Sequence, residues 1–181
     1  MSSASLDTRA KRIRLVLLDV DGVLTDATVV MHGNGTESKS FHIRDGAGMV
    51  WAMRAGLSVG LLSARESAAT AQRATQLGLT IVSQGIESKG AEYARIVEEL
   101  ALSDDEVAYM GDDVLDVPVL RRVGLAAVPA DAVEEARAHA HWVSPSPGGR
   151  GAVRELLELI LKAQNRWTSI VRDLSEPEAP S

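Results

Sequence analysis

The first place in this 181-residue sequence where chemistry can be located is a pair of aspartates, Asp19 and Asp21, separated by one residue and followed by Gly22. They close the short apolar run Arg14-Leu-Val-Leu-Leu18, which reads as a strand buried on both faces. Ligands of open parallel sheets bind beyond the carboxyl ends of the strands. A carboxylate presented there can act as a nucleophile or a metal ligand. A second one on the adjoining turn is close enough to exchange a proton with the same reacting group. Gly22 lets the backbone turn tightly beside a ligand. The same residues also suit a plain acidic turn, since Asp-Gly is a common turn pair.

Three further motifs decide between these readings. Ser63 ends the apolar segment Ser58–Leu62, and Lys89 stands near the start of a helix. Gly111-Asp112-Asp113-Val114-Leu115-Asp116 follows the strand Val107–Met110. Taken singly, Ser63 is a helix cap, Lys89 a solvated lysine and Gly-Asp-Asp a turn. Taken together, they place a hydroxyl, an ammonium and several carboxylates around Asp19. That set suits phosphoryl transfer, in which carboxylates hold magnesium and the cations neutralise phosphoryl oxygens.

The elements that must position these groups alternate strand and helix. Helices are expected up to Gly56, over 67–77, up to about Leu100, after Pro118, over 132–138 and over 152–163. Strands are expected over 80–83, 125–128 and 142–143 in addition to those named. This alternation gives an α/β class with a mostly parallel sheet. Between the first strand and the first of these helices, two β-compatible segments flank His32-Gly33-Asn34-Gly35. They read as a β-hairpin over 27–43, a flap or an interface above the acidic turn. One domain over 11–165 is expected, with a disordered leader over 1–10 and a tail over 166–181 that frays from 174.

Composition narrows the function classes. Aromatic residues make up only 3% of the chain, so the core is built from Ala, Val, Leu and Ile. A net charge of −6 argues against nucleic acid as the main partner. The absence of cysteine removes disulfides, thiol catalysis and thiolate metal sites. No apolar run has the length of a secretory core or a membrane span, so a cytoplasmic protein is expected. His139 and His141 stand two apart and do not form a helical metal pair. His42 reads as structural, and Trp142 and Trp167 as packing residues.

The motif Asp19-Val-Asp-Gly-Val-Leu-Thr25, with the other three, resembles the haloacid dehalogenase-like phosphatases. Phe41-His-Ile-Arg-Asp-Gly46, Gly111 to Pro118 and Gly148-Gly-Arg-Gly-Ala-Val-Arg-Glu155 narrow the likeness. They are similar to the capless sugar-phosphate phosphatases that act on 3-deoxy-D-manno-octulosonate 8-phosphate, in lipopolysaccharide biosynthesis. The likeness runs from about Arg14 to Gln164. It implies a three-layer Rossmann-like fold in which the hairpin replaces a cap domain, and a homotetramer built through that hairpin, with a neighbouring subunit helping to close the site. It also implies that Asp19 forms an aspartyl-phosphate and that Asp21 protonates the leaving sugar oxygen and then activates water. Magnesium would be held by Asp19, the Asp21 carbonyl and Asp112, with Asp113 and Asp116 in support. Phosphate would be bound by Ser63, Ala64 and Lys89, although the family usually has glycine where this chain has Ala64.

Arg65 is retained, and Arg73 follows eight residues later, about two helical turns, so both could meet a sugar-acid carboxylate; both could equally be surface arginines. Arg150 lies in the glycine-rich 144–151 loop, which in the family can order over substrate and which also reads as a plain linker. Related phosphatases of nine-carbon ulosonates resemble a glutamate at the Arg65 position. Three alternatives stay open: such a nine-carbon or other small sugar phosphate as substrate, a phosphoacceptor signalling domain, and a catalytically silent scaffold. Asp21 argues against the second, because a long-lived aspartyl-phosphate has no use for an acid/base there. Intact Asp19, Asp21, Lys89 and Asp112 argue against the third.

Overall fold

The computed structural model describes residues 5–176. Its centre is strand β1, Leu15–Leu18, in which all four residues are buried. β1 pairs in parallel with β4 (Ser58–Leu62) on one side and β6 (Val107–Met110) on the other. The sheet extends to β5 (Ile81–Ser83) beyond β4, and to β7 (Leu125–Val128) and β8 (Trp142–Val143) beyond β6. All of these pairings are parallel. After β5 the chain returns to the far side of β1, so the order reverses at the middle of the sheet, where ligands of such folds bind.

Side chains of a strand alternate between faces, and the two cores follow that alternation. Val16, Leu18, Leu61 and Met110 join one core with α2 (Ile43–Arg54) and α7 (Ala152–Ala163). Leu15, Leu17, Leu62 and Tyr109 join the other with α4 (Lys89–Glu99) and α5 (Val117–Leu120). The α7 stripe Val153, Leu156, Leu157, Ile160 and Leu161 is wholly buried, as its helical spacing requires. The fold is therefore the expected three-layer α/β arrangement. The hairpin is shorter than its β-compatible stretches: β2 is Val30–Met31 and β3 is Glu37–Ser38, joined in antiparallel.

Both ends carry more structure than expected. Of the leader, residues 1–4 lie outside the described residues, but Leu6–Arg12 forms helix α1. Ser5 caps it by accepting the Thr8 N–H at 3.2 Å, Asp7 pairs with Lys11, and Leu6 and Ala10 rest on the core. Two apolar residues in two turns are too weak a pattern to betray a helix whose burial comes from tertiary contact. In the tail, Trp167–Ser175 forms helix α8, whose Trp167 and Ile170 pack on the same core, while 177–181 lie outside the described residues. No helix among the described residues is long and apolar enough to cross a membrane.

Candidate active site

Asp19, Ser63 and Asp112 sit just past the carboxyl ends of three adjacent strands, β1, β4 and β6. With Asp21, Ala64, Arg65, Lys89, Asp113 and Asp116 they line a cavity of about 290 Å³. A larger groove of about 570 Å³ lies between α1 and α7, away from these residues.

The floor of the cavity is tightly bonded. Lys89, the first residue of α4, reaches Asp19 Oδ1 at 2.8 Å and Asp116 Oδ1 at 2.5 Å. Asp116 is fully buried and also accepts the Tyr109 hydroxyl and the backbone N–H groups of Asp112 and Asp113. Every lone-pair direction of Asp116 is thus occupied, which makes it the anchor of the loop after β6. Burial pushes the Lys89 ammonium down, but Asp19 and Asp116 outweigh it and hold its pKa above the ordinary value. Ser63 is buried and bonds its own turn, its hydroxyl donating to the Arg65 carbonyl at 3.1 Å. The cap of α3 (Ala68–Leu77) is instead Ser67, so the helix-cap reading of Ser63 does not hold.

The turn after β1 is shaped for close approach. The N–H groups of Val23, Leu24 and Thr25 all point to the Val20 carbonyl, and the buried Thr25 hydroxyl donates to it at 3.3 Å. Gly22 has φ +93°, and a Cβ there would lie 2.0 Å from Asp112 Oδ2. The glycine therefore serves both the turn and the approach of Asp112 to Asp19.

The donor set fits a hard divalent cation. Carboxylate oxygens of Asp19, Asp112 and Asp116 lie within 4.8 Å of one another. Asp112 Oδ1 is buried and has no hydrogen-bond partner. Burial, opposed by Lys89, pushes Asp19 up to about 6. Burial together with Asp19 and Asp116 pushes Asp112 up to about 8. Crowded carboxylates with an orphaned oxygen are what a cation of oxygen preference relieves. Because Asp116 is already satisfied, Asp19 and Asp112 are the side chains free to ligate.

Beside this floor is a second group of contacts that the motifs did not reveal. Lys39, one residue after β3, lies 2.7 Å from Asp21 Oδ1 and 2.9 Å from Oδ2, its side chain 0% exposed. Arg65 approaches Asp21 Oδ2 at 3.6 Å and bonds Glu37 Oε2 at 3.0 Å. A lysine between two exposed serines gives no sequence signal for this. Nor did Tyr109, a hydroxyl hidden in an apolar strand, or Asp45, which lies in α2 but accepts the N–H groups of Gly151 and Arg154 at the start of α7.

Two of the expected residues, Arg73 and Arg150, lie outside the cavity lining. Arg73 does not line the cavity; its guanidinium packs over Gly46 of α2, 2.3 Å from where a Cβ would be. The helical repeat cannot carry Arg65 to Arg73, because Arg65 precedes the α3 cap at Ser67. Arg150 is also outside the cavity lining, 66% exposed and 3.7 Å from Asp26. Its loop nevertheless rests on the turn after β1: the Gly149 N–H bonds the Val23 carbonyl, and a Cβ on Gly148 would overlap the Gly22 carbonyl. Asp113 lines the rim, with its carboxylate bonded to the Val114 N–H. Among the histidines, His141 accepts the Ala126 N–H through Nδ1, a structural bond.

A haloacid dehalogenase-like hydrolase family model matches residues 59–156. The 3-deoxy-D-manno-octulosonate 8-phosphate phosphatase KdsC of Escherichia coli (strain K12) is 40% identical over 164 residues, covering 91% of this chain and 87% of its own. The chain belongs to the haloacid dehalogenase-like hydrolases, in the 3-deoxy-D-manno-octulosonate 8-phosphate phosphatase branch. A probable YrbI family phosphatase from Pseudomonas syringae superposes with a TM-score of 0.93 at 39% identity, over 96% of this chain and 98% of that one. The phosphatase of Moraxella catarrhalis, solved with magnesium, phosphate and a KDO molecule, gives a TM-score of 0.91 at 33% identity, over 93% of this chain and 97% of that one. In this family member, the motif residues Asp19, Ser63, Lys89 and Asp112 share one cavity, as their order along the sheet predicted.

Proposed function

We propose that this chain is a magnesium-dependent phosphatase that hydrolyses 3-deoxy-D-manno-octulosonate 8-phosphate to the free sugar acid and phosphate. The observation that carries the reading is the floor of the cavity, where Asp19 is held by Lys89 beside the orphaned oxygen of Asp112. Asp19 Oδ attacks phosphorus, the bond from phosphorus to the sugar oxygen breaks, and Asp21 gives that oxygen a proton. Asp21 then takes a proton from water, which attacks the aspartyl-phosphate and returns Asp19 and inorganic phosphate. Lys89 offsets charge on the phosphoryl oxygens, and the Ser63 hydroxyl and the backbone beside Ala64 bind them. Magnesium, held by Asp19, Asp112 and the Asp21 carbonyl, supplies charge neutralisation when bound. Arg65, at the mouth beside Asp21, suits the carboxylate of the sugar acid. Arg150 reaches the substrate only if the 144–151 loop orders over it, since the side chain otherwise lies outside the cavity beside Asp26.

A homotetramer and a cytoplasmic place of action belong to the same proposal. Val30 and Met31 on the hairpin and Val114 and Leu115 at the cavity rim are 53–67% exposed, an apolar rim suited to a neighbouring subunit.

The test is phosphate release from the octulosonate 8-phosphate, beside a nonulosonate 9-phosphate and simple sugar phosphates, with and without EDTA. Preference for the eight-carbon substrate, loss with EDTA and loss of at least about 10⁴-fold in Asp19→Asn are expected. Equal turnover of all substrates would overturn the substrate assignment, and turnover by Asp19→Asn the mechanism.

A further inference from the structure

The two buried lysines of the site divide its two key aspartates between them. Lys89 pairs with Asp19, and Lys39 with Asp21, donating a hydrogen bond to Oδ2 at 2.9 Å and standing 2.7 Å from Oδ1, which has no hydrogen-bond partner. Lys39 stands out because of where it is carried. Much of the hairpin that bears it is exposed: Val30 is 55% and Met31 67% accessible, and nothing lies within 4 Å of a Cβ built on Gly33 or Gly35 at its turn. An ammonium on such an element would ordinarily stay in water, because lysine is strongly hydrated and its stem flexible. Instead the Lys39 side chain has no accessible surface and ends on Asp21. Withdrawing a charge from water is unfavourable unless a partner is held in good geometry. Here the partner is the group that must face the leaving oxygen.

We propose that Lys39 is a positioning residue for the first chemical step, fixing the plane of the Asp21 carboxyl group so that its proton is aimed at the leaving sugar oxygen. The proposal rests on the acid/base reading of Asp21 given above. Three features support it. Two contacts, at 2.7 and 2.9 Å, restrain rotation about the last side-chain bond, which a single contact would leave free. Terminal carboxylate torsions are otherwise broad. Lys39 does not line the cavity, so its ammonium acts through Asp21. Arg65 and Glu37 brace the same corner: Arg65 spans from Asp21 to Glu37, which sits two residues before Lys39 on β3. The Ser67 hydroxyl, with Lys39 and Arg65 nearby, holds Glu37 below the usual carboxylate range, so it remains an anion for Arg65. The hairpin thereby becomes part of the catalytic apparatus on its own subunit.

Leaving-group dependence separates positioning from a merely structural role. The ratio kcat/KM reports steps up to departure of the leaving group, so the shared hydrolysis of the aspartyl-phosphate drops out. A sugar alkoxide needs its proton, whereas p-nitrophenolate leaves without one. In the Lys39→Met variant, kcat/KM for the octulosonate 8-phosphate is expected to fall by about 10²–10³, the scale of acid catalysis. For p-nitrophenyl phosphate it should fall less than about tenfold, and across a graded series of aryl phosphates the dependence on leaving-group pKa should steepen. Lys39→Arg, which retains two donors, should recover much of the loss. If Lys39→Met does not fold, Lys39→Gln, which retains a donor amide on a shorter stem, takes its place in the same comparison. Equal losses on both substrates, or no loss on the sugar phosphate, would overturn the proposal. A wild-type chain that hydrolyses neither substrate would instead fail the phosphatase reading, and the role of Lys39 would fall with it.

Discussion

Lys89 and Lys39 each pair with one of two neighbouring aspartates and stand on opposite kinds of scaffold. Lys89 opens an eleven-residue helix and meets Asp19, Asp116 and Tyr109, all carried by or adjoining central strands. Lys39 extends from a hairpin of two-residue strands and meets one carboxylate whose side chain is 20% exposed. The difference matches the role proposed for each side. Phosphoryl transfer needs fixed charges around phosphorus, because preorganised groups are not reoriented during the reaction. The leaving-group side must admit and release a sugar, and elements with few buried contacts open at low free-energy cost.

Removing each ammonium in turn separates its effect on stability from its effect on activity. Lys89→Met strands two buried carboxylates, so a loss of about 3–5 kcal/mol is expected. In a chain of this size that lowers Tm by about 6–20 °C. Activity should fall by about 10²–10³ on every phosphate ester, whatever its leaving group. Lys39→Met leaves a partly hydrated carboxylate and should cost about half that stability or less. Calorimetry of the two variants checks this, and equal losses would mean that the hairpin is as much a part of the folded core as the sheet.

The next effect concerns the sheet side alone. Asp19, at about 6, and Asp112, at about 8, both lie above their ordinary 3.8. Without a cation, the folded chain holds protons between pH 4 and 8 that the unfolded chain has released. The stability of the metal-free protein therefore falls as pH rises through that window. Its Tm should drop by several degrees from pH 5 to pH 8, and excess magnesium should raise Tm most at pH 8, by binding the folded state where the carboxylates are ionised. Asp112→Asn should flatten the slope. A metal-free Tm that climbs over this range would show that the carboxylates are not crowded as described.

The same contrast explains what could be read from the sequence. The sheet side was legible because each functional residue there ends an apolar strand or opens a helix, so position along the chain implied position in space. β1, β6, β7, β8 and α7 fall where their apolar spacing puts them. Lys39, Glu37 and Asp45 were not legible, because their partners lie 18, 28 and 106 or more residues away and no local pattern encodes those distances. Arg73 was misplaced for a related reason: a helical repeat was extended across residues that precede the helix. Helices α1 and α8 escaped because their burial depends on a core assembled from elsewhere.

The smallest effect tests whether the hairpin contributes to the fold or only to contacts outside one subunit. Leu17 on β1 is fully buried, and Leu17→Ala should cost about 2–5 kcal/mol. Val30 and Met31 are 55% and 67% exposed, so Val30→Ser and Met31→Ser should each change the stability of an isolated subunit by no more than about 0.5 kcal/mol. Polar residues here remove apolar surface without touching the core or Lys39. If that surface is covered by a neighbouring subunit, the double variant will have a lower mass in solution and a Tm that depends more strongly on concentration, while its pH slope stays that of the wild type. If mass and Tm are both unchanged, Val30 and Met31 form no interface, and the hairpin serves the site through Lys39 and Glu37 of its own subunit. Then no second subunit needs to be placed over the cavity to explain why this loop is folded.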